Sequence, residues 1–243
     1  MATVSIIMPS FNSARYIGSA INSVLMQSFK DFKFIIYDDN SDDNTIEIIE
    51  SFKDERIFLM KSDVNRGAGY ARRAALKFAD SNYIAFLDSD DIWYEHKLDK
   101  CISYLEENLQ ISGVQSNFQV SIDGIKQNIV KPKRRITLPD MMQKNHCAMS
   151  CMVIRGHAAD KVEMPLLRAR QDYAYWIRIL QNKAIFATID ETLVEYRKVK
   201  GSISSSPMKN VWYNYKMFRY ELKFPVLKAA SIVAINIIEK FKK

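Results

Sequence analysis

The first ninety residues alternate between short apolar runs and amphipathic segments, and this alternation limits the fold more than any other feature. Val4–Met8, Phe32–Tyr37 and Tyr83–Leu87 are apolar runs of strand length. Between the first two runs, apolar residues such as Ile17 and Ile21 recur at helical spacing. Continuous apolar strands are buried on both faces, and their alternation with helices is typical of parallel βαβ units. The sequence therefore predicts a doubly wound α/β sheet.

Polar clusters follow three of the predicted strands. They are Pro9–Asn12, Asp38–Ser41 and Asp88–Asp91. In an open α/β sheet, ligands bind in the crevice outside the carboxyl ends of the strands. We therefore expect the three clusters to border one ligand site.

The last of these clusters is the strongest local signal of chemistry. Asp88, Asp90 and Asp91 place three carboxylates within four residues, directly after a buried strand. Hard oxygen ligands suit Mg²⁺ or Mn²⁺, which usually complete their shell with water and substrate phosphates. The alternative is an N-terminal cap for the next helix, for which a single aspartate is enough. We therefore expect a divalent cation at this cluster.

Two weaker signals come from the second and third βαβ units. Asp39 ends a strand, where its carboxylate can accept the imide N–H of a pyrimidine base or hold a ribose hydroxyl; an Asx turn with Ser41 is the alternative. Asn65–Gly67 precedes a helix that carries Arg72 and Arg73 one turn inside it, a suitable cradle for a diphosphate. A solvated basic helix face explains the same pattern, and the residues alone leave both alternatives open.

The pattern is looser after Leu105. Asp123-Gly124 predicts a hairpin turn, and the polar stretch Lys126–Asp140 is interpreted as a mobile flap or insert. The remaining predicted elements are strands over Gly113–Val120, Ser150–Ile154, Ala184–Ile189 and Leu193–Tyr196, and a helix over Tyr173–Leu180.

Charge is distributed unevenly over the 243 residues. Lysine and arginine exceed aspartate and glutamate by 7, but residues 197–243 contain 11 basic and 2 acidic residues, a local charge of +9. The preceding residues therefore carry a net charge of −2. In this basic tail, aromatic residues alternate with lysines before the apolar run Val226–Ile238. An interfacial helix on an anionic membrane has this composition, whereas a helix packed against protein is the alternative.

The sequence shows no signal for secretion or for a membrane span. The N-terminus lacks a basic segment, and Val226–Ile238 is shorter than the roughly 18 apolar residues that a span requires. Three cysteines are too few for a disulfide framework; His146, Cys147 and Cys151 lack a fourth metal ligand, and core cysteine is the better interpretation. We expect a cytoplasmic protein, attached peripherally to the inner face of the cell membrane through residues 207–243, and no nucleic-acid partner.

Four blocks together carry a family resemblance. Val4–Asn12 (V-S-I-I-M-P-S-F-N), Ile36–Thr45 (I-Y-D-D-N-S-D-D-N-T), Asn65–Arg72 (N-R-G-A-G-Y-A-R) and Tyr83–Trp93 (Y-I-A-F-L-D-S-D-D-I-W) resemble, in order and spacing, the signature blocks of family-2 glycosyltransferases. This resemblance implies a GT-A-like fold, built on a mixed sheet, and an inverting hexosyltransferase that uses a nucleotide sugar. It covers about ninety residues closely and continues more weakly to Ser204.

The resemblance also implies roles for individual residues. Asp88 and Asp90 match the D-x-D motif, whose last aspartate ligates the metal ion. Asp172 matches the aspartate that serves as general base, although it also reads as a helix N-cap. The donor-binding residues that the resemblance implies are Pro9, Ser10, Asn12, Asp39, Arg72 and Asp88, with Arg197 or Lys200 expected to neutralise the diphosphate.

Two positions depart from the family pattern. Gln171 stands where glutamate is common, and Val199 stands where histidine is common. A catalytically silent nucleotide-sugar-binding or scaffold protein of a glycan-assembly complex is therefore one alternative. A sugar nucleotidyltransferase is another, but Pro9–Asn12 does not resemble its glycine-rich loop.

We expect a catalytic domain over residues 1–206 and a helical extension over 207–243. The nucleotide-binding half covers about residues 1–110, and the acceptor-binding half covers 111–206. The expected reaction moves a sugar, UDP-linked in the simplest case, to a hydroxyl of a growing glycan, including a lipid-linked one. The sequence leaves the oligomeric state and the identity of the sugar open.

Overall fold

A computed structural model describes residues 2–199 and 207–241 and contains one mixed sheet flanked by helices. The strands in the described ranges are β1 (Val4–Ser10), β2 (Phe32–Asp38), β3 (Ile57–Lys61), β4 (Tyr83–Phe86), β5 (Ile92–Trp93), β6 (Gly113–Ile122), β7 (Ile125–Val130), β8 (Arg135–Ile136), β9 (Val153–Arg155) and β10 (Phe186–Lys198). The helices are α1 (Ile17–Leu25), α2 (Thr45–Ser51), α3 (Ala68–Leu76), α4 (Lys97–Glu107), α5 (Leu138–Gln143), α6 (Gly156–Ala159), α7 (Gln171–Gln181), α8 (Pro207–Lys216) and α9 (Val226–Phe241), with a 3₁₀ turn at Met149–Cys151 and a π-helical turn at Met217–Glu221.

The sheet confirms the predicted α/β class. Its strand order is β3-β2-β1-β4-β9-β6-β10-β5. Strands β3, β2, β1 and β4 are parallel, as the βαβ pattern requires. The sheet is mixed because β9 runs antiparallel to both β4 and β6. The carboxyl ends of β1, β2 and β4 thus lie side by side, which brings the three polar clusters to one edge.

Alternate residues of β1 face two separate cores. Ile6 and Met8 pack with α1, α2 and α4 on one face, whereas Ile7 packs with α3 and α7 on the other. All seven residues of β1 are buried, which explains why this strand reads as a continuous apolar run. The result is a three-layer α/β/α arrangement that leaves the strand ends accessible.

One glycine permits a close approach between the two halves of the chain. A Cβ on Gly69, in α3, would lie 2.8 Å from the carbonyl oxygen of Pro165 and 3.2 Å from that of Leu167. The absence of a side chain therefore lets α3 pack against the loop that leads into α7.

The second half adds detail to one expectation and corrects two. The stretch Lys126–Asp140, interpreted as a mobile flap or insert, contains most of β7, all of β8 and the start of α5. The two strands expected at Ala184–Ile189 and Leu193–Tyr196 form the single strand β10, which has register irregularities between Ile189 and Val194. The predicted strand Ser150–Ile154 is shorter, because its first residues belong to the 3₁₀ turn before β9.

The C-terminal extension is helical, as expected, and it packs against the catalytic core. Phe218 is fully buried and meets Tyr173 of α7 edge to face, at a centroid distance of 5.7 Å. The Asn236 side chain donates to the carbonyl oxygens of Met142 (3.0 Å) and Gln143 (2.7 Å) in α5. The predicted division at residue 206 lies outside the described residues.

The other face of the extension is exposed and apolar. Leu227 is 84% exposed, and Trp212, Ile235 and Ile238 are also exposed. None of the helices in the described ranges has the length and hydropathy needed to cross a membrane.

Candidate active site

A cleft of about 740 Å³ opens at the carboxyl end of β4. Arg72, Asp88, Asp90 and Asp172 all line it. Residues 84 positions apart in the sequence, Asp88 and Asp172, thus border the same space. The cleft therefore combines a carboxylate cluster with a separate carboxylate from the start of α7.

A buried serine holds the aspartate cluster in place through two hydrogen bonds. Ser150, in the 3₁₀ turn, accepts a hydrogen bond from the backbone N–H of Asp88 (3.0 Å) and donates its own hydroxyl to Asp91 (2.5 Å). Asp91 is fully buried and also accepts from the backbone N–H of Arg197 (2.8 Å). Because α4 begins only at Lys97, the cluster does not cap a helix, and the N-cap alternative is wrong.

The cluster has an excess of negative charge. Burial, with the charge of Asp88 in second place, raises the pKa of Asp90 to about 6. Burial and the charges of Asp90 and Asp88 raise the pKa of Asp91 well above its ordinary value. Both shifts show that further positive charge near Asp90 would be stabilising.

Arg72 supplies part of that positive charge. Its guanidinium forms an ion pair with Asp88 and is almost fully buried, with the side chain 6% exposed. Two of its nitrogens, Nε and Nη1, are buried without a hydrogen-bond partner in the described residues. Buried donors of this kind are normally satisfied, so the site has unused capacity for an anion beside the carboxylates.

The oxygen donors of this site fit a divalent cation such as Mg²⁺ or Mn²⁺. Among residues 2–199 and 207–241, no group of three or more His, Cys, Asp or Glu side chains forms a complete metal site. Asp90 and Asp88 would therefore supply one or two carboxylates, and the ligand's phosphate oxygens would supply further donors.

Asp172 lies in the first turn of α7 and is held by Asn145. The Asn145 side-chain amide donates to Asp172 Oδ2 (3.1 Å), while its carbonyl oxygen accepts from the backbone N–H of Cys147 (3.1 Å). The second contact fixes which end of the amide points toward Asp172. The residue that caps α7 is Arg170, so Asp172 is not the N-cap, although a carboxylate in the first turn is favourable.

The backbone just before Asp172 is strained. Arg170 has a φ of 65°, in the left-handed region, and its Nε is buried without a partner in the described part of the chain. A non-glycine residue in this conformation costs of order 1–3 kcal/mol and is common at functional sites. The turn directs Arg170, Gln171 and Asp172 toward the cleft, which all three line.

The other predicted donor-binding residues surround the strand ends but do not line this cleft. Pro9 and Ser10 are buried at the end of β1, and Ser10 donates to Asp38 (2.9 Å). Asn12 is exposed, with a φ of 46°, and its side-chain oxygen accepts from the backbone N–H of Asp42 (3.0 Å).

The two aspartates at the end of β2 have different partners. Asp38 accepts hydrogen bonds from the backbone N–H (2.8 Å) and hydroxyl (2.6 Å) of Ser41, so the Asx-turn alternative applies to Asp38. Asp39 accepts from the backbone N–H groups of Arg66 (3.0 Å) and Gly67 (2.6 Å) before α3. The Asp39 carboxylate thus joins the end of β2 to the Asn65–Gly67 segment before α3.

The side chain of Arg197 does not line the cleft. Its guanidinium donates to Ser19 (2.9 Å), and its neighbours Tyr196 and Lys198 line the cleft instead. Val199 follows the end of β10, and Lys200 lies outside the described residues.

The three cysteines are free and buried, in agreement with the core interpretation. Burial raises the pKa of the Cys147 thiol well above its ordinary value.

Sequence reasoning missed Ser150 and Asn145. Ser150 was read only as the start of a strand, and Asn145 belongs to no motif. Their partners lie 59 residues from Ser150 and 27 residues from Asn145 along the chain. No local pattern signals such contacts.

Comparisons with known proteins agree with this geometry. The sequence profile described as Glycosyl transferase family 2 matches residues 5–163. The Bacillus subtilis protein "Putative teichuronic acid biosynthesis glycosyltransferase TuaG" is 33% identical over 219 residues, which cover 88% of this chain and 87% of the relative. The Escherichia coli enzyme "UDP-Glc:alpha-D-GlcNAc-diphosphoundecaprenol beta-1,3-glucosyltransferase WfgD" is 35% identical over 212 residues, which cover 86% and 82%.

A solved structure shows the same fold. The crystal structure of S. aureus TarS 1–349 in complex with UDP superposes with a TM-score of 0.75 at 19% identity, covering 99% of this chain and 72% of TarS. The mixed sheet and its flanking helices are therefore those of a GT-A glycosyltransferase fold.

The buried ion pair of Arg72 generates the first testable prediction. Arg72→Met leaves Asp88 beside two other carboxylates without its cation, which should lower the free energy of unfolding by about 3–5 kcal/mol. The neighbouring Arg73 provides a matched control, because it pairs with Glu163, whose side chain is 76% exposed. Arg73→Met should cost only about 0–1 kcal/mol. Urea unfolding at neutral pH measures both values, and equal losses would contradict the assigned importance of the Arg72–Asp88 pair.

Proposed function

The chain belongs to glycosyl transferase family 2, and we propose that it transfers a hexose from a UDP-sugar to a hydroxyl of a lipid-linked glycan during synthesis of a cell-surface polysaccharide. One observation carries the proposal: Arg72, Asp88 and Asp90 line the same cleft as Asp172, which comes from a separate element. A glycosyltransferase needs both groups, one for the leaving diphosphate and one for the attacking hydroxyl. The names of the relatives TuaG and WfgD support the choice of pathway and acceptor.

The donor is proposed to lie across the ends of β1, β2 and β4. Pro9, Ser10, Asn12 and Asp39 would border the nucleoside, with Asp39 contacting the base or the ribose. Asp39 already accepts backbone hydrogen bonds from Arg66 and Gly67, but a carboxylate has about four acceptor positions, so capacity remains. The structure of TarS with UDP supports the choice of nucleotide.

The diphosphate is proposed to lie beside Arg72, whose unpartnered Nε and Nη1 would then gain acceptors. Asp90, with Asp88, would hold a divalent cation, Mn²⁺ or Mg²⁺, which when bound stabilises negative charge on the leaving diphosphate. The raised pKa of Asp90 reflects burial and repulsion from Asp88, both of which a nearby cation offsets. Arg197 remains a predicted donor ligand, although its side chain would have to leave Ser19.

Asp172 is proposed to accept the proton of the acceptor hydroxyl. In a single displacement, the hydroxyl oxygen bonds to the anomeric carbon as the bond to the diphosphate oxygen breaks, with inversion of configuration. The proton passes to an Asp172 oxygen, and the electron pair of the broken bond stays on the diphosphate. Asn145 keeps the Asp172 carboxylate oriented, because its amide is itself fixed by Cys147. Gln171, which stands where glutamate is common in the family, also lines the cleft. Asp172 is therefore the carboxylate that the start of α7 presents to the cleft.

Attachment to the inner face of the cell membrane is proposed through the extension. Leu227, Ile235 and Ile238 form an exposed apolar stripe on α9, while its opposite face packs on the catalytic core. Lysines such as Lys228 add positive charge. An amphipathic helix of this kind rests in the interface of an anionic bilayer, where a lipid-linked acceptor would be found.

Metal dependence of donor binding tests the proposed place of the diphosphate. Titration calorimetry should show UDP binding at least about tenfold more tightly with Mn²⁺ or Mg²⁺ than with EDTA, a difference of about 1.4 kcal/mol. Asp90→Asn should remove the metal effect, whereas Asp63→Asn, an exposed carboxylate outside the cleft, should retain it. Equal affinity for UDP with and without metal in the wild type would contradict the assignment.

Product analysis tests the reaction itself. Incubation with UDP-glucose, UDP-galactose or UDP-GlcNAc and a sugar linked through diphosphate to a short lipid should yield a product heavier by one sugar, with release of one UDP per product. Mass spectrometry and UDP quantification measure this directly. Tight UDP binding without transfer or hydrolysis of any donor would favour a catalytically silent protein.

Vesicle binding tests the membrane proposal. The full chain should sediment with vesicles that contain phosphatidylglycerol, and Leu227→Gln/Ile235→Gln should weaken this binding by at least about a hundredfold, since burial of each aliphatic side chain contributes roughly 1.5–3 kcal/mol. Leu109→Gln/Val64→Gln changes equally exposed apolar residues elsewhere and should have no effect. Equal sedimentation of all three proteins would leave the extension as packing alone.

A further inference from the structure

The cleft carries far more positive charge than the donor site needs. Seven of its lining side chains are cationic and three are anionic. Besides Arg72, the cations are Lys131, Lys133, Lys144, Arg168, Arg170 and Lys198. This excess is unexpected in the part of the chain before residue 197, where the net charge is −2.

Four of these six cations form no ion pair within the described ranges, and one of the four, Arg170, is half-buried. Lys131 lies 3.5 Å from Asp190, and Lys133 forms an ion pair with Asp140. Lys144, Arg168 and Lys198, by contrast, form no ion pair with any residue in the described ranges. They are called the basic rim below. All three side chains are exposed, so an anion that enters the cleft can reach them.

The basic rim is assembled from separate parts of the chain. Lys144 follows α5, Arg168 precedes α7, and Lys198 ends β10. Three segments that are distant in sequence thus place unpaired cations around one cleft, where their like charges repel each other. A cleft lined by one sign of charge concentrates ligands of the opposite sign.

Two of the three rim cations lie close in sequence to Asp172 or its partner, whereas Lys198 follows Arg197, whose backbone N–H donates to Asp91. Lys144 is adjacent in sequence to Asn145, the residue that donates to Asp172, and Arg168 lies four residues before Asp172. The donor diphosphate is already assigned to Arg72, Asp88 and Asp90. An acceptor whose hydroxyl reaches Asp172 would bring its own neighbouring groups against the rim.

We propose that Lys144, Arg168 and Lys198 form a subsite for the diphosphate that links the acceptor sugar to its lipid carrier. The inference rests on the proposed function, which it deepens by assigning residues to the acceptor. Lysine and arginine bind phosphate oxygens through charge-assisted hydrogen bonds. The subsite would make a diphosphate-linked sugar a better acceptor than the same sugar without the diphosphate.

The position of the extension is consistent with this occupant. Asn210 of α8 lines the cleft, and Asn236 of α9 is bonded to Met142 and Gln143, directly before Lys144. The exposed apolar stripe of α9 therefore belongs to a helix that packs beside the segment carrying Lys144. A lipid chain that extends from a diphosphate bound at the rim would therefore contact apolar surface nearby.

Direct binding tests the subsite without requiring turnover. The full chain, saturated with UDP and Mg²⁺, is titrated with geranyl diphosphate, geraniol and inorganic pyrophosphate. Geranyl diphosphate should bind at least about tenfold more tightly than geraniol, because hydrogen bonds to charged groups contribute roughly 1.5–3 kcal/mol each in proteins. Geranyl diphosphate should also bind more tightly than pyrophosphate. Equal or weaker binding of geranyl diphosphate would mean that the subsite recognises a free diphosphate, and the proposed carrier-linked occupant would be overturned.

Two matched triple variants locate the effect. Lys144→Gln/Arg168→Gln/Lys198→Gln should weaken geranyl diphosphate binding by about tenfold or more and leave UDP affinity unchanged. Lys53→Gln/Lys77→Gln/Lys161→Gln removes the same charge from exposed positions outside the cleft and should bind like the wild type. Unchanged binding by the rim variant, or an equal loss in the control, would overturn the subsite. If the rim variant lost UDP affinity to the same extent, the rim would belong to the donor site, and the acceptor subsite would be overturned.

The transfer assay separates failure of the subsite from failure of the proposed reaction. Absence of transfer to any acceptor, with rim-dependent binding of geranyl diphosphate intact, would reject the reaction and support the subsite. Transfer to an alkyl glycoside as efficient as transfer to the diphosphate-linked sugar would support the reaction and overturn the subsite.

Discussion

The ion pair between Arg72 and Asp88 is the interaction on which the site depends. Three carboxylates follow β4 within four residues, and Arg72 is the cation that pairs with one of them inside the protein. Ser150 and the backbone N–H of Arg197 neutralise none of the charge, but they satisfy the hydrogen-bonding capacity of Asp91. The cluster is thereby stable enough to fold and still deficient in positive charge, as the raised pKa of Asp90 shows. That deficiency is what makes the site suited to a divalent cation and a diphosphate.

Charges of both signs organise the rest of the cleft. Asp88, Asp90 and Asp172 line the cleft together with the basic rim, and the extension carries an exposed apolar surface. The overall net charge of +7 conceals this arrangement, since it sums an acidic catalytic part and a basic tail. The arrangement matches the chemistry proposed for the two substrates, each of which carries a diphosphate, and one of which also carries a lipid.

Local patterns predicted the strands and helices of the first ninety residues well. Buried parallel strands such as β1 and β2 have continuous apolar runs, and the polar clusters after them mark the strand ends, so both fold and crevice follow from short stretches of sequence. The Asp123-Gly124 turn predicted a hairpin, but strand β7 after it was not recognised, because five of its six residues are exposed and its three polar residues are consecutive, which leaves no alternation to detect. Strand β10 was read as two strands because Asp190 and Glu191 interrupt the apolar pattern at its register irregularities.

The contacts between side chains of the site could not be predicted in this way. Asn145 meets Asp172 only because α5 and α7 pack together, and the three cations of the basic rim converge only after the chain has folded. The family resemblance supplied Asp172 and the D-x-D aspartates as candidates. It contained no information about Asn145, Ser150 or the rim, which belong to the tertiary structure of this chain.

The central claim is that the two carboxylate groups of one cleft have opposite roles, with Asp172 accepting a proton and Asp90 binding the metal ion of the donor. Single-turnover transfer by Asp172→Asn, compared with Asp160→Asn at the end of α6, tests it most directly. The account predicts that Asp172→Asn transfers at least about 10²-fold more slowly while its UDP affinity in the presence of Mn²⁺ stays within about twofold of the wild type. Transfer at the wild-type rate by Asp172→Asn would contradict it.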